Sequence, residues 1–314
     1  MGVPLKFRLN LDVADDVWGI EAGIGRGDEN APNRFWVYNA HGWVDPIEML
    51  KIRAGLIDPG IWGIGGEIDT NLANGLGIRF ELSPMEGLSL GVFLGDGSNG
   101  DPEQLLETYF KNMTAFGFSY AQEDLFEVSA AFRLLYDESN VGDEEDGEMI
   151  IGLGFYGVEN LSVYVGVHMT NLINDADVGT RIALDVGYDV TDQIWVGLLA
   201  DLSMGTLIYE MDDGFGNVIN VPVEDARTLI LKPKVSFAAT EDITVGAELP
   251  VLLDFTEDAE VFSGIGLDLW GQYNIGNSWI KAGYGFAFTP EDANYATGEA
   301  IVDHYIKLVF GFSF

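Results

Sequence analysis

The chain has 314 residues, 47% hydrophobic and 12% aromatic, with 51 acidic against 15 basic side chains and a formal charge of −36. So much apolar material excludes a disordered chain, and the acidic excess disfavours a nucleic-acid partner through repulsion from the phosphate backbone. The lack of cysteine excludes disulfides and thiolate metal sites.

Forty glycines against ten prolines, with apolar residues spread evenly, predict many short strands rather than long helices. No window reaches the roughly 18 consecutive apolar residues of a spanning helix, whereas a membrane strand needs only about 9 to 11 residues of alternating character. Met1-Gly2-Val3-Pro4 lacks a basic start followed by an apolar run, so a secretory signal is expected to have been removed or replaced by an initiator Met.

Taken in chain order, period-2 alternation recurs from end to end in about seventeen segments, counted by the rules for strands. Clear cases are 5–13, 76–82, 126–136, 161–169, 182–190, 243–251, 265–273 and 280–288, closing on His304-Tyr305-Ile306-Lys307-Leu308-Val309-Phe310-Gly311-Phe312-Ser313-Phe314. The one helical hint is 102–111, where Asp101 stands before Pro102 as a cap. No linker or composition break interrupts the chain, so a single domain over 1–314 is expected.

The connections alternate in length. Short ones fall at 14–16, 45–47, 84–87, 122–124, 159–160, 191–193, 241–242 and 276–277. Long ones fall at 27–33, 58–75, 96–112, 137–148, 171–179, around 212–217, 255–260 and 289–303. This sorting is what an antiparallel up-and-down barrel produces, with turns at one rim and loops at the other. The expected fold class is therefore all-β, a transmembrane barrel of about 16–18 strands, and 212–217 reads as the tip of a hairpin extending beyond the wall.

Strand parity sorts the charges. With the apolar parity on one side, Lys6, Arg8, Lys51, Arg53, Arg79, Arg133, Arg181, Lys232, Lys234, Lys281 and Lys307 all fall on the other, joined by Glu21, Glu81, Glu127, Asp185, Asp189, Asp201, Glu248 and Asp268. The solvated face of any amphipathic sheet would carry the same pattern, but the apolar parity must then be hidden by a second layer. The polar parity is rich in glycine, as suits the inside of a curved wall. The apolar parity carries aromatics towards the strand ends, as in the girdles that flank a lipid-facing band. If lipid covers the apolar side, an Arg or Lys there would cost about 2–4 kcal/mol, and the charges must line a watery lumen.

The closing strand, with Phe310, Phe312 and the terminal Phe314 on one parity, resembles the carboxy-terminal targeting strand of bacterial outer-membrane β-barrels. The resemblance implies outer-membrane lipid and the barrel assembly machinery as partners. With the strand number and loop sorting, the whole chain is similar to the porins, which implies a water-filled channel for small hydrophilic solutes and leaves monomer and homotrimer open. The stretch HGWVDPIEMLKIRAGLIDPG at 41–60, with Trp43, Pro46, Leu50, Ile52 and Gly55, also looks like a hairpin found in barrel proteins of spirochaetes. Two features depart from the porin pattern. No Pro-Glu-Phe-Gly-Gly motif marks an inward loop, and an odd strand count conflicts with the even number of single-chain bacterial barrels, so either a strand before Val3 is missing or one was split or overlooked.

A porin performs no bond chemistry and selects by width and charge. Two loops are candidates for an inward constriction, one carrying Asp58, Glu67 and Asp69, the other Asp96, Asp101, Glu103 and Glu107, each facing wall arginines across the pore. The alternative is that both remain outside as solvated caps. The acidic run Asp137 to Glu148 lacks the spacing of a helix-loop-helix calcium site, so it is expected to bind divalent cations weakly or to form a solvated rim.

A hydrolytic site would need a histidine beside a serine or acid. Only His41, His168 and His304 are available and no motif marks a nucleophile, so no enzyme and no cofactor are expected. Trp43, Trp195, Phe93, Tyr164, Trp270 and Tyr305 share the lumen parity, either as a stacking surface for sugars or as packing. The expected function is passive diffusion, with cations preferred. A substrate-specific transporter, a plugged structural or adhesive barrel, and a soluble all-β binding protein are the alternatives.

Overall fold

The computed structural model describes residues 7–15, 17–26, 35–57, 62, 75–95, 113–137, 144–173, 178–212, 218–256, 261–276, 278–290 and 300–312. These form eighteen strand segments. In order they are β1 (Phe7–Ala14), β2 (Trp18–Arg26), β3 (Phe35–Ile47), β4 (Leu50–Ile57), β5 (Gly75–Met85), β6 (Leu88–Gly95), β7 (Met113–Gln122), β8 (Phe126–Asp137) and β9 (Glu144–Val158). There follow β10 (Leu161–Thr170), β11 (Gly179–Thr191), β12 (Ile194–Asp212), β13 (Val218–Ala238), β14 (Ile243–Glu248), β15 (Val251–Asp254), β16 (Phe262–Ile275), β17 (Ser278–Thr289) and β18 (Ile301–Phe312). The expected helix at 102–111 lies outside the described residues.

Apart from β14 and β15, each strand is antiparallel to its sequence neighbours, in one continuous sheet with the up-and-down order of a barrel. The turns at one rim are tight. Gly87 takes φ +76° between Met85 and Leu88, and Asn160 takes φ +65° between β9 and β10, conformations that glycine and asparagine adopt most readily.

Two of the expected elements are corrected. The strand at 243–251 is broken at Pro250, which has no N–H to give to a ladder. Both halves, β14 and β15, pair with β13 on one side and β16 on the other, so the eighteen segments occupy seventeen positions in the wall. With that odd number β1 and β18 run in the same direction, and among the described residues no ladder joins them. β18 is correspondingly bare, with Ile306 86% exposed. The acidic connection at 137–148 is also shorter than expected. β8 and β9 continue their ladder to Asp137 opposite Glu144, so Glu148 belongs to the wall, opposite Arg133.

The β12–β13 hairpin is the longest, at 19 and 21 residues. Its register shifts between Gly205 and Leu207, where Gly205 (φ +96°) and Asp225 (φ +52°) form the bulge at which the hairpin leaves the wall.

The two faces differ in kind. On the apolar parity, large side chains stand open, among them Leu11, Ile20, Phe80, Phe116, Phe118, Leu153, Val196, Leu269, Leu308 and Phe310. On the polar parity, Phe93, Ala115, Ile150 and Ala183 are fully buried, so this is the concave side. A second protein layer would bury the apolar parity instead. The arrangement is that of a barrel whose outer surface requires an oily solvent.

Candidate functional site

The polar face is organised as cross-strand ion pairs, because ladder register sets opposite charges side by side on one face of the sheet. The densest group spans β2 to β5. Arg53 donates from Nε to Glu81 Oε1 at 2.9 Å and from Nη1 to Glu21 Oε1 at 3.0 Å. Arg79, directly opposite Arg53 and only 3% exposed, donates to the same Glu81 oxygen at 2.7 Å. His41 is buried among them, its Nε2 3.0 Å from Arg53 Nη1 and 3.6 Å from Glu21.

Further round the wall, Arg133 donates to Glu148 at 2.5 Å, with His168 3.8 Å from the same carboxylate. Arg181 holds Asp201 with both nitrogen types, its Nε 3.0 and 2.9 Å from the two oxygens and its Nη2 2.5 Å from Oδ2. Lys234 pairs with Asp185 at 3.2 Å, Lys232 with Glu248 at 3.7 Å, and Lys51 with Asp45 at 3.7 Å. Tyr305 donates its hydroxyl to Asp268, and Glu127 lies along Gly154 beside Tyr164.

The lumen-parity residues of β2 to β18 thus share one face, but most do not project free charge. A partly desolvated ion needs a partner, and neighbouring strands supply one. Arg8 lies in β1 opposite Gly25. Lys6, and the acids Asp58, Glu67, Asp69, Asp96, Asp101, Glu103 and Glu107, lie outside the described residues.

The lumen-parity aromatics lie against glycines. Trp43 covers Gly19, Trp195 covers Gly187 and Gly197, Trp270 covers Gly246, and Tyr305 covers Gly285. In each case a Cβ on the glycine would fall within 3.0 Å of the ring. Lys51 sits 4.3 Å above Trp43 and Lys281 4.0 Å above Trp270. With glycine on one side and ammonium on the other, Trp43 and Trp270 offer no open face for a sugar, so they act as packing.

Trp62 is the residue that sequence reasoning missed. It belongs to the connection between β4 and β5, yet its ring lies across Gly91 of β6 and Gly117 of β7 on the concave face. It is 3% exposed, with Nε1 donating to Ser89 at 3.4 Å. Gly91 stands in register with Glu81, six residues along β5 from Gly75, or about 20 Å into the barrel from the rim. The signal was present in the sequence, since Ile61-Trp62-Gly63-Ile64-Gly65 is an apolar run in an otherwise acidic set of long connections.

Of the carboxy-terminal aromatics, Phe310 projects from the apolar face, 51% exposed, Phe312 closes β18, and Phe314 lies outside the described residues. His304 also belongs to that outer face, its Nδ1 2.6 Å from the Tyr284 hydroxyl and its ring tilted against Phe286.

The fold has known counterparts. Pseudomonas aeruginosa OccK11 (OpdR) superposes with a TM-score of 0.60 at 10% identity, covering 97% of this chain and 87% of that one. The chain has the porin-type barrel fold. Salmonella typhi OmpF, solved with daunomycin, matches at 0.51 with 12% identity over 78% of this chain and 81% of its own. OmpT, an outer membrane protein of Vibrio cholerae, matches at 0.50 with 13% identity over 96% and 89%. No family model matches the sequence. No curated protein matches it either.

Proposed function

We propose that this chain is a channel of the bacterial outer membrane, one barrel domain through which small hydrophilic solutes cross by passive diffusion, with no bond chemistry. The observation that carries this reading is the division of the sheet into an exposed apolar outside and a concave inside laced with ion pairs. A wall of that kind suits water within and hydrocarbon without. The outer parity of β18 then serves as the assembly signal for the barrel assembly machinery, and outer-membrane lipid is its solvent.

Trp62, between β4 and β5, narrows the lumen, because its ring marks a point deep inside the barrel. The full burial of Phe93, Ala115 and Ile150 on the same face favours a partly filled lumen over a wide one, and therefore a channel with preferences among solutes.

Selectivity by charge belongs to the long-connection rim. Arg53, Arg79, Arg133, Arg181 and three of the described wall lysines are neutralised in place, and much of the excess that gives −36 falls in the connections, as at Glu138, Asp143, Glu257, Asp258 and Glu260. A mouth of that sign concentrates cations. In a planar bilayer under a tenfold KCl gradient, the reversal potential is expected on the potassium side, and less so at high salt, where screening shortens the reach of the rim. A chloride-directed potential would overturn the cation preference, and the absence of any conductance would overturn the channel.

A further inference from the structure

The ion-pair pattern of the concave face has two gaps. Of the described wall cations there, Lys51, Arg53, Arg79, Arg133, Arg181, Lys232 and Lys234 each have a carboxylate within 4.0 Å. Among the described residues, Lys281 of β17 and Lys307 of β18 have none. They are also neighbours, because Gly283 is the ladder partner of Lys307 and stands two residues from Lys281 on the same face. Such diagonal positions are about 7–8 Å apart, close enough for two long side chains to reach one small group.

The ground between them is open. A Cβ on Gly285 would meet the Tyr305 ring and one on Gly246 the Trp270 ring, but on Gly283 it would meet only Leu269 O at 3.3 Å and the Trp270 Cβ at 3.6 Å. Gly283 is thus a bare floor, with Trp270 on its β16 side and Lys307 on its β18 side. Asp268, in register with Gly285, is engaged by the Tyr305 hydroxyl. Lys51 and Lys234 also ride over tryptophans but have Asp45 and Asp185 to balance them, whereas Lys281 has only the Trp270 ring.

We propose that Lys281 and Lys307 hold a compact divalent oxyanion over Gly283, a phosphate-like group, with the Trp270 edge beside it. This rests on the channel reading and adds to it a saturable site inside the lumen. Two ammonium groups without counter-ions match a double negative charge, and a floor without a side chain lets the anion approach the wall. The acidic rim does not cancel the site. Lys307 lies six residues from the start of β18 at the long-connection end, about 20 Å away, beyond a Debye length of about 8 Å at physiological salt.

The test is single-channel recording with potassium phosphate replacing chloride at constant ionic strength. Wild type is expected to show conductance that saturates with phosphate, and Lys281→Gln/Lys307→Gln conductance that rises linearly. Saturation unchanged in the double variant, or absent from wild type, overturns the site while leaving the channel in place. Should no conductance be seen in any salt, the channel reading fails, and calorimetric titration of the detergent-solubilised protein with phosphate decides the site. One binding event lost in the double variant supports it, and no heat of binding in wild type overturns it.

Discussion

Phe116→Arg is expected to destabilise the folded protein in liposomes by about 2–4 kcal/mol, the cost of a basic side chain at the midplane of a lipid-facing wall. Phe116 is in the body of β7, in a row with Val92 and Phe132, and stands 49% exposed on the outer face. In water an exposed phenylalanine could become arginine with little effect, usually within about 0.5 kcal/mol. In hydrocarbon the guanidinium has no solvent. The control is Ser119→Arg, three residues on and on the concave side, which is expected to cost far less because that face holds charge already. Denaturant unfolding in lipid vesicles measures both. Equal costs at the two positions, or none at Phe116, would remove hydrocarbon as the outer solvent and the channel with it.

Trp62→Ala is expected to raise single-channel conductance and weaken discrimination among solutes of different size. The ring is almost wholly buried against Gly91 and Gly117, and truncating such a tryptophan forfeits about 3–5 kcal/mol. At about 1.4 kcal/mol per factor of ten, the lower figure weakens the seating of residue 62 on the wall about a hundredfold. The wall ladders involve no Trp62 atoms, so the barrel is expected to retain its resistance to heat in detergent. Gly117→Val gives the same result from the other partner, since its side chain would occupy the place of the indole. If both variants keep wild-type conductance while folding normally, Trp62 does not set the width of the pore.

The outward position of Phe116 follows from alternation alone, because a strand repeats every two residues and the apolar parity of β7 is continuous. The terminal strand is legible for the same reason. The break at Pro250 is written in the sequence, yet the apolar run continues past it, and only the shared partners β13 and β16 show that the two halves occupy one position. Glu148 reads as a loop acid because its neighbours are acidic. Its pairing opposite Arg133 depends on the β8–β9 register, which no local pattern encodes.

Which side of each strand is oily and which is charged, and the alternation of short turns with long connections, can be read without coordinates, because both are properties of a few consecutive residues. Which of the described cations find a carboxylate and which do not, and that Trp62 lies deep against two glycines, were set only by the assembled sheet. Those outcomes depend on the register of residues far apart in the chain and on the space that glycines on neighbouring strands leave open. Neither exists until the sheet has been assembled.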